Sequence, residues 1–245
     1  MTRRASADTH ETATTHASNG DDGRPRVLHV VTVLDFGGVE SHMALIGQVR
    51  MAGDCDHAFC AIGGGGRVEQ GLRAVGAQVD CLGLPVAIPS LAALRGLYLK
   101  LRRERPAVVH CHGAEANFHG LLAAWFARIP VRIGEEIGIP GHGRLARWLF
   151  RAVFGRAQAV IGVSGLVTQW LVRNREVAAA RAVTLLNPVA LPQGGGSIAP
   201  ADAAFRMCFV GRLEPVKNLD ALVAAFERLV RGGARAELWL VGEGG

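Results

Sequence analysis

The sequence has no apolar run long enough to cross a membrane. Its longest uncharged stretch, residues 182–201, is interrupted by three prolines and by three consecutive glycines, whereas a spanning helix needs about 20 mostly apolar residues. Residues 1–23 also have few apolar residues and lack the hydrophobic centre of a secretory signal. We therefore expect a cytoplasmic protein that starts with a disordered tail over residues 1–25.

Three familiar sequence patterns are also absent. The five cysteines are an odd number and form no C-x-x-C pair, which favours reduced, mostly buried thiols over disulfides or a cysteine metal site. Neither the Walker A pattern nor the G-x-G-x-x-G fingerprint occurs. These absences argue against a P-loop enzyme and against an NAD-dependent oxidoreductase.

Short apolar strands alternate with amphipathic helices along most of the chain. This alternation predicts an α/β fold with a parallel sheet covered on both faces. The predicted strands are 26–34, 57–62, 78–82, 107–111, 131–135, 159–163 and 183–186. The predicted helices are 39–51, 68–75, 91–104, 115–127, 145–154 and 165–173. Ligands of such sheets bind at the carboxyl ends of the strands.

A change of composition divides the chain. Residues 26–188 carry the alternating pattern and form a predicted N-terminal Rossmann-like domain. Residues 189–204 are rich in proline, glycine and alanine and are predicted to be a linker. A strand at 205–210, a helix at 218–230 and a strand at 237–241 then restart the pattern. We expect 205–245 to be the first β-α-β unit of an incomplete second domain, because such a unit leaves its sheet edge uncovered.

Glycines stand in two of the loops that follow predicted strands. Gly37 and Gly38 come just before the first predicted helix, where backbone N–H groups can bind an anion, and a simple tight turn explains them equally well. The run Gly63–Gly66 has the wrong spacing for a dinucleotide site and is interpreted as a flexible connection.

Two histidines lie at the end of a buried strand. His110 and His112 share one face because side chains alternate along a strand. No further metal ligand is close in sequence, so no metal site is predicted. Either residue could be a hydrogen-bonded core histidine, and His112 is the better candidate for a substrate contact because it lies at the carboxyl end.

The most specific pattern is FVGRLEPVKNL at residues 209–219. Arg212 follows the glycine that ends a strand, and Lys217 stands just before a predicted helix. Two cations beside a helix N-terminus are well placed to bind a diphosphate. The alternative is that both cations are merely solvated.

This pattern, together with LWLVGEG at residues 238–244, resembles the family 4 retaining glycosyltransferases. That family has the GT-B fold, in which two Rossmann-like domains face each other across a cleft. Gly37-Gly38, the HCH at 110–112, the VS at 163–164 and the NPV at 187–189 match further motifs of the family, with Pro188 in place of a glycine. The resemblance implies transfer of a sugar from a nucleotide-diphosphate sugar to a glycan or lipid-linked glycan with retention of configuration, in cell-envelope polysaccharide biosynthesis.

The resemblance also implies roles for individual residues. Arg212 and Lys217 would hold the donor diphosphate, and Gly37 and Gly38 would lie close to the donor phosphates and the acceptor. His112 would contact the donor sugar as a catalytic residue. No metal or other cofactor is expected. The family's paired glutamates lie beyond the β-α-β unit, so we expect a chain truncated within the donor-binding domain and inactive alone; a non-catalytic nucleotide-sugar-binding module is the alternative.

The basic charge is concentrated in one quarter of the chain. Residues 90–156 contain eleven Lys or Arg and only four Glu, which favours an anionic partner. Along 144–156, arginines alternate with apolar residues, among them Trp148, Phe150 and Phe154, and a second basic group at 95–105 includes Lys100. We expect peripheral contact with an anionic membrane and no nucleic-acid partner; solvated arginines on a core-covering helix are the alternative.

Overall fold

The structure is a computed structural model that describes residues 23–49, 53–190 and 205–244. The chain divides into two units between residues 190 and 191. Most of the predicted tail and most of the predicted linker, residues 1–22 and 191–204, lie outside the described residues.

The first unit alternates strands and helices as the sequence predicts, with element ends shifted by a few residues. The strands are β1 (Arg26–Val31), β2 (Asp56–Ala61), β3 (Gln78–Cys81), β4 (Val108–His112), β5 (Val131–Glu136), β6 (Ala159–Gly162) and β7 (Ala182–Thr184). The helices are α1 (Gly38–Val49), α2 (Arg67–Ala74), α3 (Leu91–Glu104), α4 (Ala114–Phe126), α5 (Arg144–Phe154) and α6 (Gly165–Arg173). A 3-10 turn at Ala179–Arg181 precedes β7.

The seven strands form one parallel sheet in the order β3-β2-β1-β4-β5-β6-β7. The chain first builds outward from β1 to β3 and then returns to the other side of β1 with β4, where His29 pairs in register with His110. This topology confirms the predicted α/β fold. Because the strand order reverses between β1 and β4, the crevice at their carboxyl ends is the expected ligand site of such a sheet.

Two apolar clusters cover the faces of the sheet unequally. The larger one packs α3, α4, α5 and α6 against one face through residues such as Leu97, Leu121 and Phe154. The smaller one packs α1 and α2 against the other face through Met43 and Leu72. Burying these apolar stripes is the main stabilising term of the unit.

Local chemistry sets where several helices begin. The hydroxyl of Ser90 accepts the N–H of Ala93 (3.2 Å) at the start of α3, and that of Ser164 accepts the N–H of Val167 (3.3 Å) at the start of α6. Such caps contribute about 1 kcal/mol each. Gly113 has a φ of 85°, a backbone conformation that favours glycine, and it turns the chain from β4 directly into α4.

The second unit, described by itself, is one β-α-β unit. It consists of β8 (Phe205–Val210), a 3-10 turn (Pro215–Lys217), α7 (Leu219–Arg231) and β9 (Ala236–Val241). The two strands pair in parallel, with Phe205 opposite Ala236. Within residues 205–244, none of the residues of α7 is buried.

Candidate functional site

Gly37 and Gly38, which are predicted to lie close to the donor phosphates, stand at the N-terminus of α1, beyond the carboxyl end of β1. The carbonyl of Gly37 accepts hydrogen bonds from the Ser41 N–H (3.0 Å) and the Ser41 hydroxyl (2.7 Å). A Cβ added to Gly37 would collide with the carboxylate of Glu40, whereas one added to Gly38 would meet nothing within 4 Å. Gly38 therefore leaves open space where helix N–H groups can face an anion.

The glycine run Gly63–Gly66 packs tightly against the loop between β1 and α1. Its interpretation as a flexible connection is therefore wrong. The Leu34 N–H donates to the Gly64 carbonyl (3.2 Å), and the Arg67 N–H donates to Asp35 Oδ1 (3.1 Å). A Cβ on Gly66 would lie 2.0 Å from Asp35 Oδ1. Gly66 needs to be glycine because Asp35 of the other loop occupies its side-chain space, and the sequence alone does not reveal that neighbour.

A line of polar contacts crosses four strands on one face of the sheet. His112, at the end of β4, is buried, and its Nδ1 lies 3.1 Å from Glu135 Oε1 on β5. Its Nε2 lies 3.0 Å from Nδ1 of His29 on β1. Nε2 of His29 in turn lies 2.9 Å from Nδ1 of His57 on β2. Both ring nitrogens of His112 are thus engaged by protein groups.

The Glu135 carboxylate fixes the proton positions along this line. An ionised carboxylate only accepts hydrogen bonds, so Nδ1 of His112 donates to Glu135. Nε2 of His112 must then accept from Nδ1 of His29, and Nε2 of His29 must accept from Nδ1 of His57. One acidic group therefore determines the tautomers of three histidines.

Two more histidines complete what we call the histidine cluster, namely His29, His42, His57, His110 and His112 around Glu135. Nε2 of His110 lies 3.1 Å from Glu135 Oε2, and its ring centroid lies 4.0 Å from that of His112. His42 of α1 meets His112 edge-on at 6.0 Å between centroids.

Asn117 of α4 holds the backbone beneath the cluster. Its Oδ1 accepts the Glu135 N–H (3.1 Å), and its Nδ2 donates to the Glu135 carbonyl (2.9 Å). The position of Glu135 is therefore fixed from both its backbone and its side chain.

Burial controls the charge of the cluster. Burial, aided by His112 and His110, lowers the pKa of His29 well below its ordinary value. Burial likewise lowers the pKa of His112 to about 4, although Glu135 opposes this shift. Burial alone would raise the pKa of the Glu135 carboxyl, but its contacts with His110 and His112 lower that pKa well below its usual range. The imidazoles of His29 and His112 are therefore neutral at pH 7.

The sheet brings together groups that sequence reasoning missed. One ligand atom from each of His29, His110 and His112 lies within 4.8 Å of the other two, and the same holds for His42, His112 and Glu135. The prediction of no metal site rested on the absence of a ligand close in sequence. Because β1 and β4 are neighbours in space but far apart in the chain, that argument does not hold for this fold.

Arg212 and Lys217 of the second unit, which are predicted to bind a diphosphate, lie in the segment between β8 and α7. Arg212 is exposed, and its Nη1 lies 2.9 Å from Glu214 Oε1. Lys217 is also exposed and ends the 3-10 turn, two residues before α7 begins at Leu219. Both side chains are accessible to an anion from solvent.

The apolar side chains of α5 do not all face solvent, as contact with a lipid surface would require. Phe150 and Phe154 are buried in the larger apolar cluster, so their assignment to a lipid interface is wrong; their helical positions turn them to the sheet. Leu145 and Trp148 are 81% and 69% exposed. Beside Trp148, one groove is bordered by the four arginines Arg144, Arg147, Arg151 and Arg175.

Lys100 does not belong to a basic surface either. It is buried in α3 and forms ion pairs with Asp80 and Glu104, so its charge is compensated inside the protein. Among the described helices, none combines the length and the apolar character needed to cross a bilayer.

The strand order and the alternating helices define a Rossmann-like α/β protein, whose expected ligand site is the crevice between β1 and β4. The sequence profile of Glycosyltransferase Family 4 matches residues 36–192, which is more than half of the chain. The chain therefore belongs to glycosyltransferase family 4. No curated protein sequence matches it.

Solved structures share the fold at low sequence identity, and they confirm the GT-B type of architecture. The apo form of the lipopolysaccharide outer core galactosyltransferase WaaB matches with a TM-score of 0.63 and 14% identity, over 89% of this chain and 61% of that one. Anabaena HepE in complex with UDP and glucose matches with a TM-score of 0.66 and 16% identity, over 90% and 62%. A UDP-N-acetylglucosamine 2-epimerase matches with a TM-score of 0.51 and 16% identity, over 89% and 69%. The chain thus spans less than two thirds of the first two structures.

Proposed function

We propose that this protein transfers a sugar from a nucleotide-diphosphate sugar to a glycan or lipid-linked glycan, with retention of configuration and in cell-envelope polysaccharide biosynthesis. The observation that carries the proposal is the open N-terminus of α1 at Gly38, placed at the strand-order reversal of a family 4 domain. Anionic ligands bind at such helix N-termini. The neighbours that contain UDP support a nucleotide sugar as donor.

In this proposal the cations of the second unit neutralise the donor diphosphate. Arg212 and Lys217 would stabilise the leaving nucleoside diphosphate as negative charge develops on it. Gly37 and Gly38 would admit the donor phosphates and the acceptor. No metal is assigned to this step, because two cations and helix N–H groups supply the charge compensation.

The role proposed for His112 has to be consistent with its contacts. Its ring nitrogens are both engaged, by Glu135 and by His29, so it would contact the donor sugar only after exchanging one of these partners. His110 is the more accessible member of the HCH motif, with 12% of its side chain exposed. Replacing His110 and His112 by Asn, one at a time, shows which of them acts in catalysis. Loss of turnover without loss of donor binding supports the catalytic role for the residue replaced.

The test of the function is a screen of nucleotide sugars with the full gene product that carries this sequence, following release of nucleoside diphosphate. Turnover that needs both a donor and a glycan acceptor, with the product anomer equal to that of the donor, supports the proposal. Saturable donor binding without turnover would favour the non-catalytic module. Inversion of the anomeric centre would contradict retention.

We further propose that α5 brings the protein to the anionic surface of a membrane, on its cytoplasmic side, where a lipid-linked acceptor would be found. The exposed Leu145 and Trp148 lie beside arginines that border one groove. An apolar group next to cations is the arrangement that binds anionic lipid surfaces.

A further inference from the structure

Three imidazoles of the histidine cluster are arranged as ligands of one metal ion, and we infer that His29, His110 and His112 form a site for a divalent d-block cation of the Zn²⁺ class. This inference goes beyond sugar transfer and concerns the sheet of the first unit alone. It rests on the spacing of the ring nitrogens and on what holds each ring from behind.

The spacing of the nitrogens suits a tetrahedral ion. Two nitrogens bound to one Zn²⁺ at about 2.0–2.1 Å lie roughly 3.3 Å apart. Nδ1 of His29 and Nε2 of His112 are 3.0 Å apart, and one ring nitrogen from each of His29, His110 and His112 lies within 4.8 Å of the other two. The rings of His110 and His112, whose centroids are 4.0 Å apart, would have to open slightly around the ion.

His29 and His112 are each held through their other nitrogen, and His110 also lies beside Glu135. Glu135 contacts Nδ1 of His112 and Nε2 of His110, at 3.1 Å in both cases. Nε2 of His29 contacts His57 at 2.9 Å. Metal-binding histidines nearly always have such a partner, which orients the ring and makes it a stronger ligand.

Zn²⁺ would take the place of the proton shared by His29 and His112. The proton of His29 then moves from Nδ1 to Nε2 and is donated to Nδ1 of His57, and His57 carries its own proton on Nε2. His29, His57 and His112 each keep one proton, so the ligand nitrogens of His29 and His112 present a lone pair without a change in the charge of the protein. The neutral state of the buried rings agrees with this form.

The donor set also selects the kind of metal. Three imidazoles suit Zn²⁺, Co²⁺, Ni²⁺ or Cu²⁺, whereas Mg²⁺ and Ca²⁺ require mainly oxygen ligands. Three protein ligands leave a fourth position for water or another small ligand. His42, on α1, is partly exposed and meets the ring of His112 edge-on at 6.0 Å between centroids.

The experiment is a titration of the metal-stripped full chain with Zn²⁺ by calorimetry, and with Co²⁺ followed by visible absorption. His10 and His16 are replaced by Asn in every sample so that the N-terminal histidines do not contribute. We expect one Zn²⁺ per chain, a Kd in the micromolar range or below, and the intense visible bands of four-coordinate Co²⁺. Millimolar Mg²⁺ should leave this binding unchanged.

The variants are His112→Asn, His110→Asn and a control, His142→Asn, which lies outside the cluster beside Glu176. The first two should weaken Zn²⁺ binding at least tenfold and abolish the Co²⁺ bands, and the control should bind as the parent does. Circular dichroism checks folding; if His112→Asn does not fold, the more accessible His110→Asn decides. Absence of saturable Zn²⁺ binding, or equal binding by His110→Asn and the parent, would overturn the inference.

Discussion

Glu135 and His112 face each other in register on β5 and β4 and meet at 3.1 Å in the interior of the sheet. The same carboxylate also meets His110, and through His112 it orients His29. One acidic side chain therefore accepts a hydrogen bond from the buried His112, whose Nδ1 would otherwise lie without an acceptor.

Glu135→Gln should destabilise the first unit by about 1–3 kcal/mol, because it removes a charged acceptor from buried imidazoles. Urea unfolding followed by circular dichroism measures this change. Glu69→Gln is the matched control, since Glu69 forms an exposed i,i+4 ion pair with Arg73 and should change the free energy of unfolding by less than about 1 kcal/mol. Equal effects of the two substitutions would contradict the role of Glu135.

Two substitutions in the run Gly63–Gly66 test whether it is packed against its neighbours. Gly66→Ala places a methyl group against Asp35, whereas Gly64→Ala has no atom within 4 Å. Gly66→Ala should therefore lower the free energy of unfolding by about 1–3 kcal/mol, and Gly64→Ala should leave it nearly unchanged. If both variants melt at the temperature of the parent, the run is a loose connection after all.

Lys217→Ala should weaken nucleotide-sugar binding in the full gene product about tenfold to a hundredfold, the loss of one charge-assisted contact of about 1.5–3 kcal/mol. The thermal midpoint should change little, because Lys217 is exposed. Arg228→Ala, in the last turn of α7, is the control and should keep parental affinity. A Lys217→Ala variant with unchanged affinity and turnover would rule out the diphosphate contact.

Stability at neutral pH should depend on Glu136, which is buried at the end of β5. Its Oε1 accepts a hydrogen bond from Asn117 (3.0 Å). Burial raises the pKa of this carboxyl to about 7, helped by the neighbouring carboxylates of Glu176, Glu115 and Glu135. The folded state thus keeps a proton that the unfolded chain loses near its lower pKa of about 4.3.

The stabilisation that protonated Glu136 adds to the free energy of unfolding is therefore complete below pH 4 and is lost as the pH rises through 7. Gln keeps an oxygen that accepts from Asn117 and cannot ionise, so Glu136→Gln should gain stability relative to the parent between pH 5 and 8. The upper limit is about 4 kcal/mol, at about 1.4 kcal/mol per pKa unit. Glu227→Gln, which breaks an exposed ion pair with Arg231, should follow the pH profile of the parent; an identical profile for Glu136→Gln would refute the shift.

Membrane contact is tested by co-sedimentation with vesicles that contain anionic or only zwitterionic lipids. Each cation near an anionic surface contributes about 1 kcal/mol, so the parent should bind anionic vesicles at low salt and release at high salt. Changing Arg144, Arg147 and Arg151 to Ser should abolish binding. Changing Arg206, Arg228 and Arg231 to Ser removes equal charge elsewhere and is the control; if both triple variants bind alike, α5 is not the contact.

The sequence predicted the elements better than their contacts. Alternation of apolar strands and amphipathic helices located β1 to β7 and α1 to α6 because strand and helix periods are local properties. Strand neighbours are not local: nothing near His29 indicates that His110 and His112 lie beside it. The histidine cluster was therefore seen only as two residues of one strand.

Errors about exposure have the same origin. Phe150 and Phe154 were assigned to a lipid surface because the arginines of α5 suggested one. The apolar residues of α5 lie on more than one face of the helix, and only its packing against the sheet decides which of them are buried. Lys100 was counted as a surface cation because its partner Asp80 belongs to a different element, β3. Gly37 and Arg212 lie in loops, Gly38 begins α1 and Lys217 ends a 3-10 turn. The roles of these four residues stay predictions.

The position of β1 in the sheet has a consequence for how the protein is made. Among the described strands, β1 is made well before β4, and one of its edges stays unpaired until β4 follows, near residue 112. Until then the nascent chain exposes a strand edge and Nδ1 of His29, whose partner His112 is not yet made, and an open edge of this kind promotes association between chains. Slow translation between β1 and β4 should therefore increase the insoluble fraction.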